Sequence, residues 1–232
     1  MNVKGFIWRF SDSGYRLLRF FDRLAVNLSK PRRSLVNLHP KKKEKARQLL
    51  KQTDRLHLGC GTVRLHGFIN IDAVFTPAVD FRCKLHKLYD YFPPGSVSEI
   101  YICHTMEHLP ARLLPLYLKQ FYSILKKDGV LRISVPDIEK CMVAAGKQQW
   151  TDEQIELLQG VIGGGQDHKY NYHKSFFWPE YLARKLERAG FVDIAEYPLQ
   201  PHFAGPDVND SSNCAGFHPY GMGLSLNMKA RK

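Results

Sequence analysis

Residues 56–61 read Leu-His-Leu-Gly-Cys-Gly, an apolar run that breaks into two glycines one residue apart. Eleven residues after Gly61 comes Asp72, at the close of a second apolar run over 68–71. Glycine is required where a chain leaves a strand in a sharp turn and a ligand lies against its backbone, because a Cβ would occupy that space. An acid at the end of the following strand can accept hydrogen bonds from both hydroxyls of a ribose. A lone Gly-x-Gly recurs by chance in many chains. Placed after one strand and followed by an acid ending the next, it constrains residues 55–72 to the opening of a nucleotide-type α/β sheet.

The rest of the chain continues that rhythm. Short apolar runs predict strands at 55–58, 68–71, 79–82, 99–103, 130–135, 191–197 and 223–229. Between them, helical periodicity predicts helices over 109–125 and 179–189, the first closed by Lys126-Lys127-Asp128-Gly129 as a C-cap and turn, the second by Gly190. The expected fold class is α/β, a Rossmann-like, doubly wound, mostly parallel seven-stranded sheet with helices on both faces. Only residues 59–67 connect the first two strands. That is shorter than the dozen or so residues of a crossover with its helix, so the first helix is expected to shrink to about a turn. Two stretches break the rhythm. Residues 159–177 contain three consecutive glycines and then Asp167, His168, Tyr170, Tyr172 and His173, and residues 200–222 are rich in Pro, Gly, Asn and Ser. Insertions of this kind cover or build a binding site, or are surface decoration.

Charge divides the chain in two. Of its 34 Lys and Arg, residues 1–51 hold 14 against 3 acids, whereas residues 52–232 are close to neutral. The expected domains are therefore a basic, amphipathic helical appendage over 1–51 and a binding domain over 52–232. A helix is expected at 3–28, with Phe6, Phe10, Leu17, Phe21, Leu24 and Leu28 on one side and Arg9, Arg16, Arg19 and Arg23 on the others. It reads as a lid, as a peripheral membrane contact through residues 3–28, or as an RNA-binding arm. The neutral body argues against nucleic acid as the main partner. No run is long enough for a membrane span, and no secretory signal is evident. The five cysteines (Cys60, Cys83, Cys103, Cys141, Cys214) form no C-x-x-C pair. A reducing cytoplasm is the expected compartment, with membrane attachment through the appendage as its variant.

From about Arg55 to Gly190 the sequence resembles the class I S-adenosylmethionine-dependent methyltransferases, and most closely their small bacterial methyltransferase-11-like type. LHLGCG is similar to the family's nucleotide loop and INID to its ribose acid. SVSEIYICHTMEHL is similar to the fourth strand and the helix entry after it, LKKDGVLRISVPD to the fifth strand, and HKSFFWPEYLARKLERAGF to the late helix. The resemblance implies S-adenosyl-L-methionine as cofactor, bound by Leu58, Gly59, Cys60, Gly61 and Asp72. The family's adenine-side acid is replaced by Cys83 followed by Lys84, so backbone from Cys83, Lys84 or Leu85 is expected to meet the adenine. Without the third glycine of G-x-G-x-x-G, which brings a pyrophosphate to a helix N-terminus, a dehydrogenase is a minor alternative.

The expected activity is O-methylation of a small-molecule, sugar or surface-glycan acceptor. The alternatives are a non-catalytic binder of the cofactor and an RNA methyltransferase guided by the basic arm. His104, at the end of the fourth strand, is the candidate base; its competing reading is a backbone lining of the cofactor pocket. Glu107 and His108 join it as catalytic candidates, with hydrogen bonding at the helix start as their plainer role. His104-x-x-Glu107-His108 also matches the H-x-x-E-H pattern of inverted zinc proteases, which needs both histidines on one helix. A divalent metal at His104, Glu107 and His108 is a further reading, as some quinone-pathway methyltransferases carry E-x-x-E-H here; no metal is expected. Asp137 reads as a substrate contact or, better, as a helix N-cap. His168 and His173 are candidate acceptor contacts from the insertion.

Overall fold

Why the sheet closes without its first helix is visible in the computed structural model, which describes residues 40–146, 150–197 and 223–232. The expected helix at 3–28 and the insertion at 200–222 lie outside the described residues. The first described element is helix α1, Pro40–Gln52. It buries Ala46 and rests Leu49 and Leu50 on the core, and Lys42 lies over the rings of Phe81 and Tyr91. No helix among the described residues is long and apolar enough to cross a membrane.

The strands are β1 (Arg55–Leu58), β2 (Ile69–Asp72), β3 (Phe81–Arg82), β4 (Val97–Cys103), β5 (Leu125–Pro136), β6 (Val192–Glu196) and β7 (Ser225–Arg231). They form one seven-stranded sheet in the order β3-β2-β1-β4-β5-β7-β6. β1, β2, β3, β4 and β5 are mutually parallel, and β7 runs antiparallel to both β5 and β6. The chain therefore leaves β1 toward one edge of the sheet and returns at β4 toward the other. The carboxyl ends of β1 and β4 flank the point where the order reverses, the place where open α/β sheets bind their ligands.

Helices α2 (Leu114–Ile124) and α5 (Pro179–Ala189) pack on one face of this sheet, with α3 (Ile138–Ala145) and α4 (Asp152–Gly163) following β5. α2 buries Leu114, Tyr117, Leu118, Phe121 and Ile124, the spacing of a core-facing stripe. In β4, Ile100 and Ile102 join that main core, whereas Tyr101 and Cys103 point to the other face, against Val63, Leu65 and Phe68. Among the described residues, the second face at β1 and β4 is thus covered by the 59–68 connection, with no helix between β1 and β2. Beside it Glu99 receives Arg55 and Arg132, each at 2.7 Å, and the Arg55 guanidinium lies 4.0 Å from the Phe68 ring centre.

Three expectations are corrected. The helix expected over 109–125 begins at Leu114; before it the chain makes two short 3-10 turns, Met106–His108 and Ala111–Leu113. Pro110 forces Leu109 into extended backbone (φ −88°, ψ 141°), which delays the helix. Residues 126–129 are not a cap and turn but part of β5, and the left-handed residue is Asp128 (φ 62°), not Gly129. Gly129 serves space, since a Cβ there would stand 3.0 Å from the Lys126 carbonyl oxygen. The insertion expected at 159–177 is helical as far as Gly163, because α4 starts on a capping box of Thr151 with Gln154 and runs on through Gln159.

Candidate active site

The glycine turn follows β1 as its sequence requires. Gly59 (φ 68°) and Gly61 (φ 53°) are both left-handed, and the amides of Gly59 and Cys60 both donate to the Ile71 carbonyl, at 2.8 and 3.1 Å. Gly59 lies so close to the β4 exit that a Cβ would stand 2.1 Å from Thr105 Oγ1. Asp72, at the end of β2, accepts from the Gly61 amide at 3.0 Å and from the Val74 amide at 2.7 Å. Its carboxylate is thereby fixed beside the turn, and each oxygen retains lone-pair capacity for a further donor. Leu58 is fully buried beneath. Burial, with the charges of Asp72 and Asp80, pushes the Cys60 thiol up to about 12, which favours the protonated thiol.

Asn70 holds the helix-free connection together, and it is the residue that sequence reasoning missed. It is completely buried. Its carbonyl accepts from the Leu65 amide at 2.9 Å, and its amide group donates to the carbonyls of Leu65 and Phe68 and to Asp80. Asp80 also accepts from the Asn70 backbone at 2.9 Å and pairs with Arg64. The middle residue of Ile-Asn-Ile between buried positions was the signal: a buried amide needs partners, and the loop supplies them.

On the expected adenine side, the Cys83 amide donates to the Asp72 carbonyl at 2.8 Å. Lys84 is exposed, and Leu85 opens a 3-10 turn, Leu85–Asp90. Burial pushes the Cys83 thiol up to about 12 as well.

Beyond β4 the chain enters a strained residue, His104, with φ 41°. Non-glycine residues are held there only where the surroundings dictate it, and such strain concentrates at functional sites. His104 Nε2 lies 2.9 Å from Ser225 Oγ on β7, and Nδ1 lies 3.2 Å from Glu107 Oε1. Glu107 is 1% exposed, and among the described residues the nearest group to its carboxylate is that His104 nitrogen, while Oε2 has no hydrogen-bond partner. Burial resists its ionisation, but the contact and charge of His104, with the charge of His108, outweigh that and hold its pKa below the usual carboxylate range.

His173 comes to this cluster from the insertion, 66 residues along from Glu107. The amides of Lys174 and Ser175 donate to the Glu107 carbonyl at 2.7 and 3.0 Å, and Ser175 Oγ donates to the Leu109 carbonyl. The insertion is thus laid across residues 107–109. His173 Nε2 stands 4.0 Å from Glu107 Oε1, and its ring meets that of His108 edge-on at 4.7 Å. Burial lowers the His173 pKa further than Glu107 raises it, which favours the neutral imidazole.

The structure brings together His104, Glu107, His108 and His173. His168 is apart from them at the surface, near Asp167 and Tyr170. Asp137 is buried and acts as the N-cap of α3, accepting from the amides of Glu139 and Lys140 while pairing with the Lys140 ammonium at 3.2 Å. Asp137→Ala is expected to lower unfolding stability by about 1–2 kcal/mol, the usual worth of a lost cap, with little change in ligand affinity. Urea denaturation beside a ligand titration checks both.

No protein-family model matches the chain, and no curated protein does. Similar solved structures include a SAM-dependent methyltransferase from Archaeoglobus fulgidus, at 17% identity and TM-score 0.47, covering 82% of this chain and 92% of that one. Another is the Burkholderia thailandensis 1,6-didemethyltoxoflavin-N1-methyltransferase with bound 1,6-didemethyltoxoflavin and S-adenosylhomocysteine, at 18% identity and TM-score 0.46, covering 94% and 89%. A third is an S-adenosylmethionine-dependent methyltransferase from Mesorhizobium loti, at 14% identity and TM-score 0.43, covering 82% and 96%.

Proposed function

We propose that the chain binds S-adenosyl-L-methionine at the carboxyl ends of β1, β2 and β4 and passes its methyl group to a hydroxyl of a small-molecule or glycan acceptor. One observation carries this reading: the left-handed Gly59–Gly61 turn and the Asp72 carboxylate meet at 3.0 Å at the switch point of the sheet. The site suits an adenosine carrying no phosphate. The ribose hydroxyls donate to Asp72, the turn accommodates the chain beyond the sugar, and Cys83, Lys84 and Leu85 border the adenine.

Thr105, packed on Gly59, joins this cofactor side to the histidine cluster. An acceptor between them would be aligned for in-line attack, which supplies most of the rate of methyl transfer. Held by Asp72 and the Gly59–Gly61 turn, S-adenosylmethionine would supply an electrophilic methyl group to the acceptor oxygen and would leave as the neutral thioether, keeping the carbon–sulfur electron pair. His104 takes the hydroxyl proton on Nε2, where the acceptor replaces Ser225 as partner. The Glu107 carboxylate beside Nδ1 fixes the tautomer and stabilises the imidazolium. His173 and His108 wall the acceptor side. Residues 3–28 would bring the domain to a membrane surface carrying such acceptors.

Transfer is tested with methyl-labelled S-adenosylmethionine and fractionated cell extract of small molecules, lipid-linked sugars and RNA. The reading expects label in a small-molecule or sugar fraction, and loss of most of that label in His104→Ala. Cofactor binding without label in any fraction would support the non-catalytic alternative instead, and label in RNA alone would support the third.

A further inference from the structure

We propose that Glu107, His108 and His173 form a binding site for a divalent transition metal of the zinc type. One ligand atom from each lies within 4.8 Å of the others. Two imidazole nitrogens and one carboxylate oxygen match a zinc site with three protein ligands and one open position, at metal–ligand distances of about 2.0–2.2 Å. Closing the observed separations onto an ion at those distances takes side-chain movements on the order of 1 Å.

Two independent features prepare these side chains for an ion. First, each histidine commits its other ring nitrogen to a backbone carbonyl: His108 Nδ1 lies 3.2 Å from the Tyr172 oxygen, and His173 Nδ1 lies 3.1 Å from the Ile162 oxygen. Donation from Nδ1 leaves Nε2 with its lone pair, the arrangement by which metal-ligating histidines are fixed. Second, Glu107 is 1% exposed, and among the described residues its carboxylate meets only histidines: Oε1 lies 3.2 Å from His104 Nδ1 and 4.0 Å from His173 Nε2, and Oε2 has no hydrogen-bond partner. A buried carboxylate oxygen left without a partner is costly, and an ion would satisfy it. The donor set is not the one read from the sequence, which grouped His104 with Glu107 and His108. His104 has both ring nitrogens engaged, Nε2 with Ser225 Oγ and Nδ1 with Glu107 Oε1, and it is His173 that gathers with Glu107 and His108, because the amides of Lys174 and Ser175 anchor the insertion on the Glu107 carbonyl. This site stands on its own residues and does not depend on the methyltransferase reading.

The test uses the full-length chain, stripped with a chelator and titrated with Zn2+, and with Co2+ as an absorbing substitute. One equivalent of Zn2+ is expected to bind and to raise the melting temperature, and Co2+ is expected to give visible bands of a low-symmetry nitrogen–oxygen site. His108→Ala and His173→Ala should each weaken Zn2+ binding about 100-fold or more, since even outer partners of such ligands are worth 10–100-fold. His168→Ala, in the same insertion, should leave it unchanged. His108 is partly exposed, so its variant keeps the test open if a change at Glu107 impairs folding. Absence of stoichiometric Zn2+ binding by the folded protein would overturn the proposal, as would binding that survives both histidine substitutions. Titration of S-adenosylmethionine in chelator reports cofactor binding separately, so failure of either reading leaves the other standing.

Discussion

Gly59→Ala is expected to lower the melting temperature by roughly 6–12 °C and to take S-adenosylmethionine affinity down with it. Two costs add. An alanine held at φ 68° pays roughly 1–2 kcal/mol for left-handed backbone. The new Cβ would also stand 2.1 Å from Thr105 Oγ1 and 2.8 Å from Thr105 Cβ, so the β1 turn and the β4 exit must separate. With about 3 kcal/mol in total, a domain of this size loses about 2–4 °C per kcal/mol. Adding Thr105→Gly removes the overlap and leaves the backbone strain, so the pair is expected to recover part of the stability. Thermal denaturation of the two variants separates the terms, and an unchanged melting temperature in Gly59→Ala would contradict the close approach.

The second large effect is on affinity. Asp72→Ala is expected to weaken S-adenosylmethionine binding about 100-fold, because two charge-assisted hydrogen bonds to the ribose are lost together, at about 1.5 kcal/mol or more each. Stability should fall much less. The amides of Gly61 and Val74, which now donate to Asp72, lie where water can replace it. Calorimetry beside thermal denaturation checks the split. A comparable loss in both would recast Asp72 as a residue that only shapes the turn.

Much of this fold was legible because local chemistry and tertiary structure agree. β1 occupies the expected residues, α5 the expected Pro179–Ala189, and the other strands shift by a few positions at their ends. The absence of the first crossover helix was legible from chain length alone. How the sheet survives without it was not, because Asn70 acts through loop partners that only the folded chain brings together. The same holds at the β4 exit. His104, Glu107 and His108 are adjacent in sequence, but His173 reaches them through an insertion whose docking depends on two backbone amides. Long-range meetings of this kind leave no periodic trace. Asp128 shows a smaller failure of the same sort: the glycine beside it suggested the left-handed turn, while crowding by the Lys126 and Ser98 carbonyls gives Gly129 a different task.

The central claim is that the β1 turn and Asp72 bind an adenosine-bearing sulfonium cofactor. Isothermal titration of the purified chain with S-adenosylmethionine, and with S-adenosylhomocysteine as its product, tests it most directly. One site per chain is expected for both ligands, in the micromolar range, and lost in Asp72→Ala. No binding at millimolar concentration, or binding that Asp72→Ala leaves intact, would contradict it.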